Sequence, residues 1–144
     1  MRSGRTSQTA AQNAIVAATP AIAVLLTIIT VPKLAALVAI YTLAAADPLA
    51  AIVGIRWGRR RITRNRSLEG SLAFFTATFA IAYAVLAWGT DAPHAMIAGA
   101  AATIAFAAAV CEVLPLRIDD NLTIPIFVGF TTWIVATLFG VSLV

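Results

Sequence analysis

The chain contains five apolar runs, each close to the length a helix needs to cross roughly 30 Å of hydrocarbon. Ala14 to Val31 is eighteen residues without a charge. Leu34 to Ile55 follows, broken by Asp47-Pro48. Gly70 to Gly89 is free of charge, Ala95 to Leu114 is very rich in alanine, and Leu122 to Val144 closes the sequence. The first run is long for a signal peptide, and another follows Pro32-Lys33 almost at once, so it reads as a span. Composition agrees: 61% of residues are hydrophobic and 11% charged, where soluble domains carry about half and a quarter. Mean hydropathy is +0.94. A water-soluble enzyme of ordinary class and a disordered chain are both excluded. Cys111 is the lone cysteine, which excludes an intrachain disulfide framework. The expected fold is all-α: a polytopic membrane helical bundle of about five transmembrane helices, forming one integral membrane domain over residues 1–144.

The net charge of +4 is distributed very unevenly. Six of the ten basic residues lie between Arg56 and Arg66, in the polar loop 56–69. The positive-inside bias assigns that loop to the cytoplasm. Counting outwards puts the N-terminus, with Arg2 and Arg5, on the same side, and leaves Lys33 outside as a minor exception. The loop 115–121, with Arg117, returns to the cytoplasmic face. The basic balance therefore reads as membrane topology, and nucleic acid is not an expected partner.

Three polar clusters stand inside or beside the spans. Intramembrane acids are expensive and usually face a cavity or a partner. Asp47 lies roughly 12 Å along a helix from the arginine loop, and Pro48 disfavours helix at the residue before it. On a helix Asp47, Ala51, Gly54 and Gly58 fall within about 40° of one another. The bland reading is close packing through Gly54 and Gly58, with Asp47 capping a half-helix. The loop then reads Arg56-Trp-Gly-Arg-Arg-Arg-Ile-Thr-Arg-Asn-Arg66-Ser-Leu-Glu-Gly-Ser71. Guanidinium forks match phosphate oxygens, so these arginines could clamp a polyphosphate. Their ordinary role is topological anchoring and attraction to anionic lipid. Ser67 has the look of an N-cap, with Glu69 in the first turn. The third cluster is Glu112 followed by Asp119, Asp120 and Asn121. These are either capping groups on a solvated acidic turn or the hard oxygen ligands that a magnesium nucleotide requires. His94 falls on the opposite turn, away from the clusters, and reads as a surface residue.

The order of these pieces resembles the CTP-dependent lipid kinases, a family that includes dolichol kinase, phytol kinase and the CTP-dependent diacylglycerol kinase. The resemblance is carried by Asp47-Pro-Leu-Ala-Ala-x-x-Gly54-x-x-x-Gly58, then Arg66-Ser-Leu-Glu69-Gly70-Ser71, then Glu112 and Asp119-Asp120-Asn121-Leu-x-x-Pro125. It covers about residues 40–130. Arg66 stands where the family often has lysine. Further upstream spans and an Arg-Lys-x-x-His element, usual in the family, are not found here.

What the resemblance implies is a multi-pass enzyme that moves the γ-phosphate of CTP to the hydroxyl of a prenol-type lipid or diacylglycerol, with Mg²⁺. It implies Asp47, Glu112 and Asp120 as catalytic candidates, and Asp47, Asp119 and Asp120 as metal candidates. Gly54, Gly58, Arg59, Arg66, Ser67, Glu69, Gly70 and Asn121 are the candidates for binding nucleotide. The water-soluble donor and the apolar acceptor would meet at the cytoplasmic interface. Five spans are few for enclosing both, so a homodimer or a partner membrane subunit is expected. The alternatives are a cytidylyltransferase like CDP-diacylglycerol synthase, whose further signatures are missing here, and a non-enzymatic membrane scaffold or subunit.

Overall fold

A computed structural model describes residues 3–63, 66–114 and 120–143. Its helices are α1 (Ser3–Thr30), α2 (Lys33–Tyr41), α3 (Asp47–Trp57), α4 (Leu68–Gly89), α5 (His94–Val113) and α6 (Asp120–Leu138). No strand occurs among the described residues, only an isolated antiparallel bridge between Arg61 and Ser67. Backbone polar groups in hydrocarbon must be satisfied within the chain, which leaves apolar runs of this length no alternative to helix. Lys33–Trp57, Leu68–Gly89 and His94–Val113 are long and apolar enough to cross a membrane, and Leu122–Leu138 is a shorter apolar helix. The chain is a membrane protein with an all-helical fold.

The second helix departs from the expected break at Asp47-Pro48. α2 and α3 are one continuous helix, joined by a wider π-helical turn over Thr42–Ala46. A proline ring inside an α-helix collides with the carbonyl four residues back. For Pro48 that residue is Ala44, which lies in the middle of the widened turn. The π turn thus absorbs the proline without ending the helix. Asp47 is consequently a helix residue flanked by helical backbone on both sides, and it caps no half-helix.

The remaining ends are locally encoded. α1 stops two residues before Pro32, which begins the next helix with φ −54°. Ser67 caps α4, its Oγ accepting from Gly70 N at 3.1 Å. α6 closes at Leu138 with Gly140 at φ +69°, the left-handed position of a Schellman motif. Its two bonds are Val141 N to Ala136 O at 2.8 Å and Gly140 N to Thr137 O at 3.1 Å.

α4 is packed between α3 and α5, while α6 lies against α1, α2 and α5. The core combines large residues (Phe74, Leu86, Ile97 and Ile104) with alanines at 82, 100, 101, 108 and 136. In lipid, such small residues let helices approach closely enough for dispersion to hold them. One end of the bundle carries the loop after α3, the start of α4 and the end of α5. The other carries Gly89 against Leu34 and a polar depression lined by Gly89 to Pro93, Gly140 and Ser142.

Candidate functional site at the arginine-loop end of the bundle

The site is built on a crossing that only glycine permits. α4 runs back along α3 so closely that a methyl group on Gly70 would sit 2.9 Å from Ala50 O and 3.1 Å from Ser67 Oγ. One on Gly54 would sit 3.0 Å from Ser67 Oγ. The reading of Gly54 and Gly58 as packing residues agrees with this, since a methyl group on Gly58 would sit 2.8 Å from Ser67 Cβ. The same contact sets Ser67, Gly70 and Ser71 alongside Ala50, Ala51 and Gly54.

The loop between the helices is tied down by its own backbone. Ile62 N donates to Arg66 O at 3.0 Å and Leu68 N to Arg60 O at 2.8 Å. Glu69 reaches back to accept from Arg60 N, at 3.3 and 3.4 Å from its two oxygens. An orphan donor of the loop is thereby satisfied by a first-turn acid, as in a capping box. This closure and the bridge from Arg61 to Ser67 set Arg61 and Arg66 on one cavity.

Arg66 is the hub. Its Nη1 lies 2.7 Å from Glu112 Oε1 and 3.7 Å from Asp47 Oδ1. Glu112 belongs to the buried surface of α5 and is 4% exposed. Its second oxygen, Oε2, accepts from Ser71 Oγ at 3.1 Å. α4 and the loop therefore meet at one buried carboxylate of α5, and α3 joins them through Asp47 at the same guanidinium. Beside it is a cavity of ≈ 170 Å³, lined by α3 through Ala50, Ala51, Gly54 and Ile55. Arg61, Arg66, Ser67, Gly70, Ser71 and Glu112 complete the lining. The lining thus combines apolar residues of α3 with two guanidiniums, two hydroxyls and one carboxylate.

The expected residues separate into groups. Asp47, Arg66 and Glu112 come together although 65 positions of sequence separate the first from the last. Gly54, Ser67 and Gly70 line the same cavity. Gly58 packs on Ser67 at the edge of the crossing, and Glu69 holds the loop backbone. Arg59 and Arg61 are both exposed, and of the two Arg61 alone lines the cavity. Asp120 and Asn121 begin α6, and Asp119 lies outside the described residues. Pro125 is fully buried inside α6. Among the described residues no three potential ligands of the His, Cys, Asp and Glu types gather on one point. His94 pairs with the Tyr83 hydroxyl at 3.2 Å at the other end of the bundle, as a residue unconnected with the site should.

Sequence reasoning passed over Ser71 and Arg61. A signal for Ser71 existed: four residues after the Ser67 cap, it must share that residue's face of the helix. For Arg61 there was none, because neighbouring arginines in a run are equivalent until the loop's pairing is known.

Over 101 residues the chain is 34% identical to a protein of Synechocystis sp. named phytol kinase, an overlap of 68% of this chain. The chain is thus similar to a lipid kinase. It spans 43% of that relative's length. No family model and no solved structure matches the chain. The similarity agrees with the motif order, and with a charged cluster at one end of an apolar bundle.

Proposed function

We propose that this chain transfers the γ-phosphate of CTP to the hydroxyl of a membrane lipid alcohol, of prenol or diacylglycerol type. The observation that carries this reading is the pairing of Arg66 with the buried Glu112, with Asp47 in reach of the same guanidinium, on a cavity lined both by charged side chains and by apolar residues of α3. Phosphoryl transfer needs positioning and neutralisation of charge more than covalent chemistry. Arg61 and Arg66 supply the guanidiniums for phosphate oxygens. A cavity of ≈ 170 Å³ is below the roughly 300–1,000 Å³ of a pocket that encloses a whole ligand. It suits the phosphate end of a nucleotide, with the base and ribose over the exposed loop.

The acceptor arrives along α3. Asp47 has a quarter of its side chain exposed. Around it Pro48, Leu49, Ala51 and Ile52 turn outward, towards what would be lipid. A hydroxyl on an apolar tail can reach Asp47 from that side. Asp47 then accepts its proton as the lipid oxygen attacks phosphorus, the bond to the leaving oxygen breaks, and CDP departs. Mg²⁺ is typically held by one or two carboxylates together with substrate phosphates, and Asp47 and Glu112 offer that donor set, with Asp119 and Asp120 as further ligands. When bound, the ion would neutralise charge on the phosphates. The arginine loop and the N-terminus are assigned to the cytoplasm, the compartment of CTP. A homodimer or partner subunit would complete the enclosure of the lipid.

The test is Mg²⁺-dependent transfer of label from γ-³²P-CTP to a panel of prenols and diacylglycerol, using purified protein in detergent. ATP and Asp120→Asn serve as controls. Labelled lipid with CTP, lost in the variant, is the expected result. Transfer of an α-label with release of pyrophosphate would instead establish a cytidylyltransferase. No transfer of either label, with a partner subunit also supplied, would leave a non-enzymatic membrane subunit.

A further inference from the structure

Ser71 has no part in the mechanism above, yet its hydroxyl donates a hydrogen bond to Glu112, the same carboxylate that pairs with Arg66. Several threonines of the bundle turn their hydroxyls onto the carbonyl four residues back: Thr76, Thr103 and Thr137 within helices, and Thr90 at the end of α4, do so at 2.7–2.9 Å. That local bond is the default for a hydroxyl on an apolar helix. Ser71 does otherwise. Its Oγ crosses from α4 to α5 and donates to Glu112 Oε2 over 41 positions of sequence. Both residues are buried, at 9% and 4% exposure. Glu112 Oε1 meanwhile faces Arg66 Nη1 at 2.7 Å. One carboxylate is therefore gripped at both oxygens, by a neutral donor on a helix and a cation on a loop.

We infer that Ser71 is a positioning residue for the transfer, acting through Glu112 on Arg66. A glutamate has three side-chain torsions, and the ion pair at Oε1 does not by itself stop the carboxylate pivoting about that oxygen. The hydrogen bond from Ser71 restricts that pivot, because the helix fixes the Cβ of Ser71 and the second oxygen must meet it. With Glu112 fixed, the Arg66 guanidinium is held at one place on the cavity wall. The loop alone does not accomplish this, since its backbone bonds constrain Arg66 O and leave the side chain to its partners. This inference rests on the kinase reading for its chemistry, but its geometry stands independently.

The experiment compares Ser71→Ala and Ser71→Thr with the unaltered protein in detergent. The quantities read are kcat, KM for CTP and for the lipid, the melting temperature, and the coupling between Arg66 and Glu112. Coupling is the non-additivity of Arg66→Gln and Glu112→Gln in thermal unfolding, measured with Ser71 present and in the Ser71→Ala background. Loss of a hydrogen bond to a charged group predicts that Ser71→Ala lowers kcat about tenfold or more. KM for the lipid should stay within about twofold, because the acceptor side is untouched. Ser71→Thr, which keeps the hydroxyl, should recover most of the loss. The coupling should fall by at least half in the Ser71→Ala background. A Ser71→Ala protein with unchanged kcat overturns the inference, as does a Ser71→Thr protein that melts normally yet is as impaired as Ser71→Ala. If the unaltered protein transfers no phosphate, the kinase reading falls by itself. The coupling still decides on Ser71: a drop supports the positioning role, and an unchanged value overturns it.

Discussion

Arg66 Nη1 and Glu112 Oε1 stand 2.7 Å apart, joining a loop at the end of the bundle to the buried face of α5. The two ends of this pair are unequal. The arginine side chain is 20% exposed and has Asp47 within 3.7 Å, whereas the glutamate side chain is 1% exposed. Removing either partner is therefore not symmetrical. Without Arg66 a carboxylate is left inside an apolar bundle, and without Glu112 the guanidinium can still turn to Asp47 or to water.

Arg66→Met should accordingly destabilise the protein more than Glu112→Gln. Breaking a buried pair by removing one charge typically costs about 3–5 kcal/mol. Glu112→Gln keeps the shape and an acceptor for Ser71, so about 1–2 kcal/mol is expected. The double variant Arg66→Met/Glu112→Leu should regain part of the loss. Thermal unfolding in detergent of all three variants checks the order, and equal losses for the two single variants would contradict it.

The glycines at the α3–α4 crossing give a second prediction, because they fail for different reasons from a third glycine. Gly70→Ala drives a methyl against a backbone carbonyl, Ala50 O at 2.9 Å, which cannot rotate aside. Overpacking of this kind costs about 1–3 kcal/mol, and here it also widens the site. Gly54→Ala meets the Ser67 hydroxyl, a side-chain atom at 3.0 Å, and should cost less. Gly140→Ala meets nothing within 4 Å but sits at φ +69°. Its cost is conformational, about 1–2 kcal/mol, and the site is untouched. Melting temperatures paired with transfer assays should separate the two cases. Gly70→Ala loses both stability and activity, and Gly140→Ala loses stability alone.

The bundle is legible in the sequence because apolar length is a direct property of composition. Asp47 and Glu112 are legible as anomalies, since acids inside spans demand an explanation. Their meeting is not legible. It depends on the depth of the α3–α4 crossing and on a loop closed by the bond from Arg60 N to Glu69, both of them products of tertiary geometry. Asp47-Pro48 reads as a break because proline is judged against an α-helix, and the π turn over Thr42–Ala46 changes that premise. The choice of Arg61 over Arg59 follows from a single backbone bridge, invisible in a run of three arginines.

That choice is itself testable. Both arginines are exposed, but Arg61 lines the cavity and Arg59 does not. Charge-assisted hydrogen bonds to phosphate are about twice as strong as neutral ones. Arg61→Ala should raise KM for the nucleotide about tenfold or more. Arg59→Ala, one of several exposed charges screened by salt, should change it less than about threefold at physiological ionic strength. Raising the salt should erase the small Arg59 effect and leave most of the Arg61 effect. Equal effects from the two variants would mean that the loop acts as a diffuse cationic surface.

Asp47 offers the sharpest division between structure and chemistry. Its carboxylate is the farther partner of Arg66, at 3.7 Å against 2.7 Å for Glu112, and its side chain is a quarter exposed. A carboxylate that served only as a counter-ion would contribute little at that distance and exposure. One that takes a proton from the lipid hydroxyl contributes about 10²–10⁴ in rate. Asp47→Asn keeps the volume, and the helix through this position depends on Pro48 and the π turn, not on a capping bond from Asp47. The variant should therefore melt within about 1 kcal/mol of the unaltered protein, bind metal-free CTP normally, and lose at least about a hundredfold in kcat. The reverse result would also be informative: a lowered melting temperature with kcat intact makes Asp47 a structural partner of Arg66. The proton acceptor would then have to be sought among Glu112, Asp119 and Asp120.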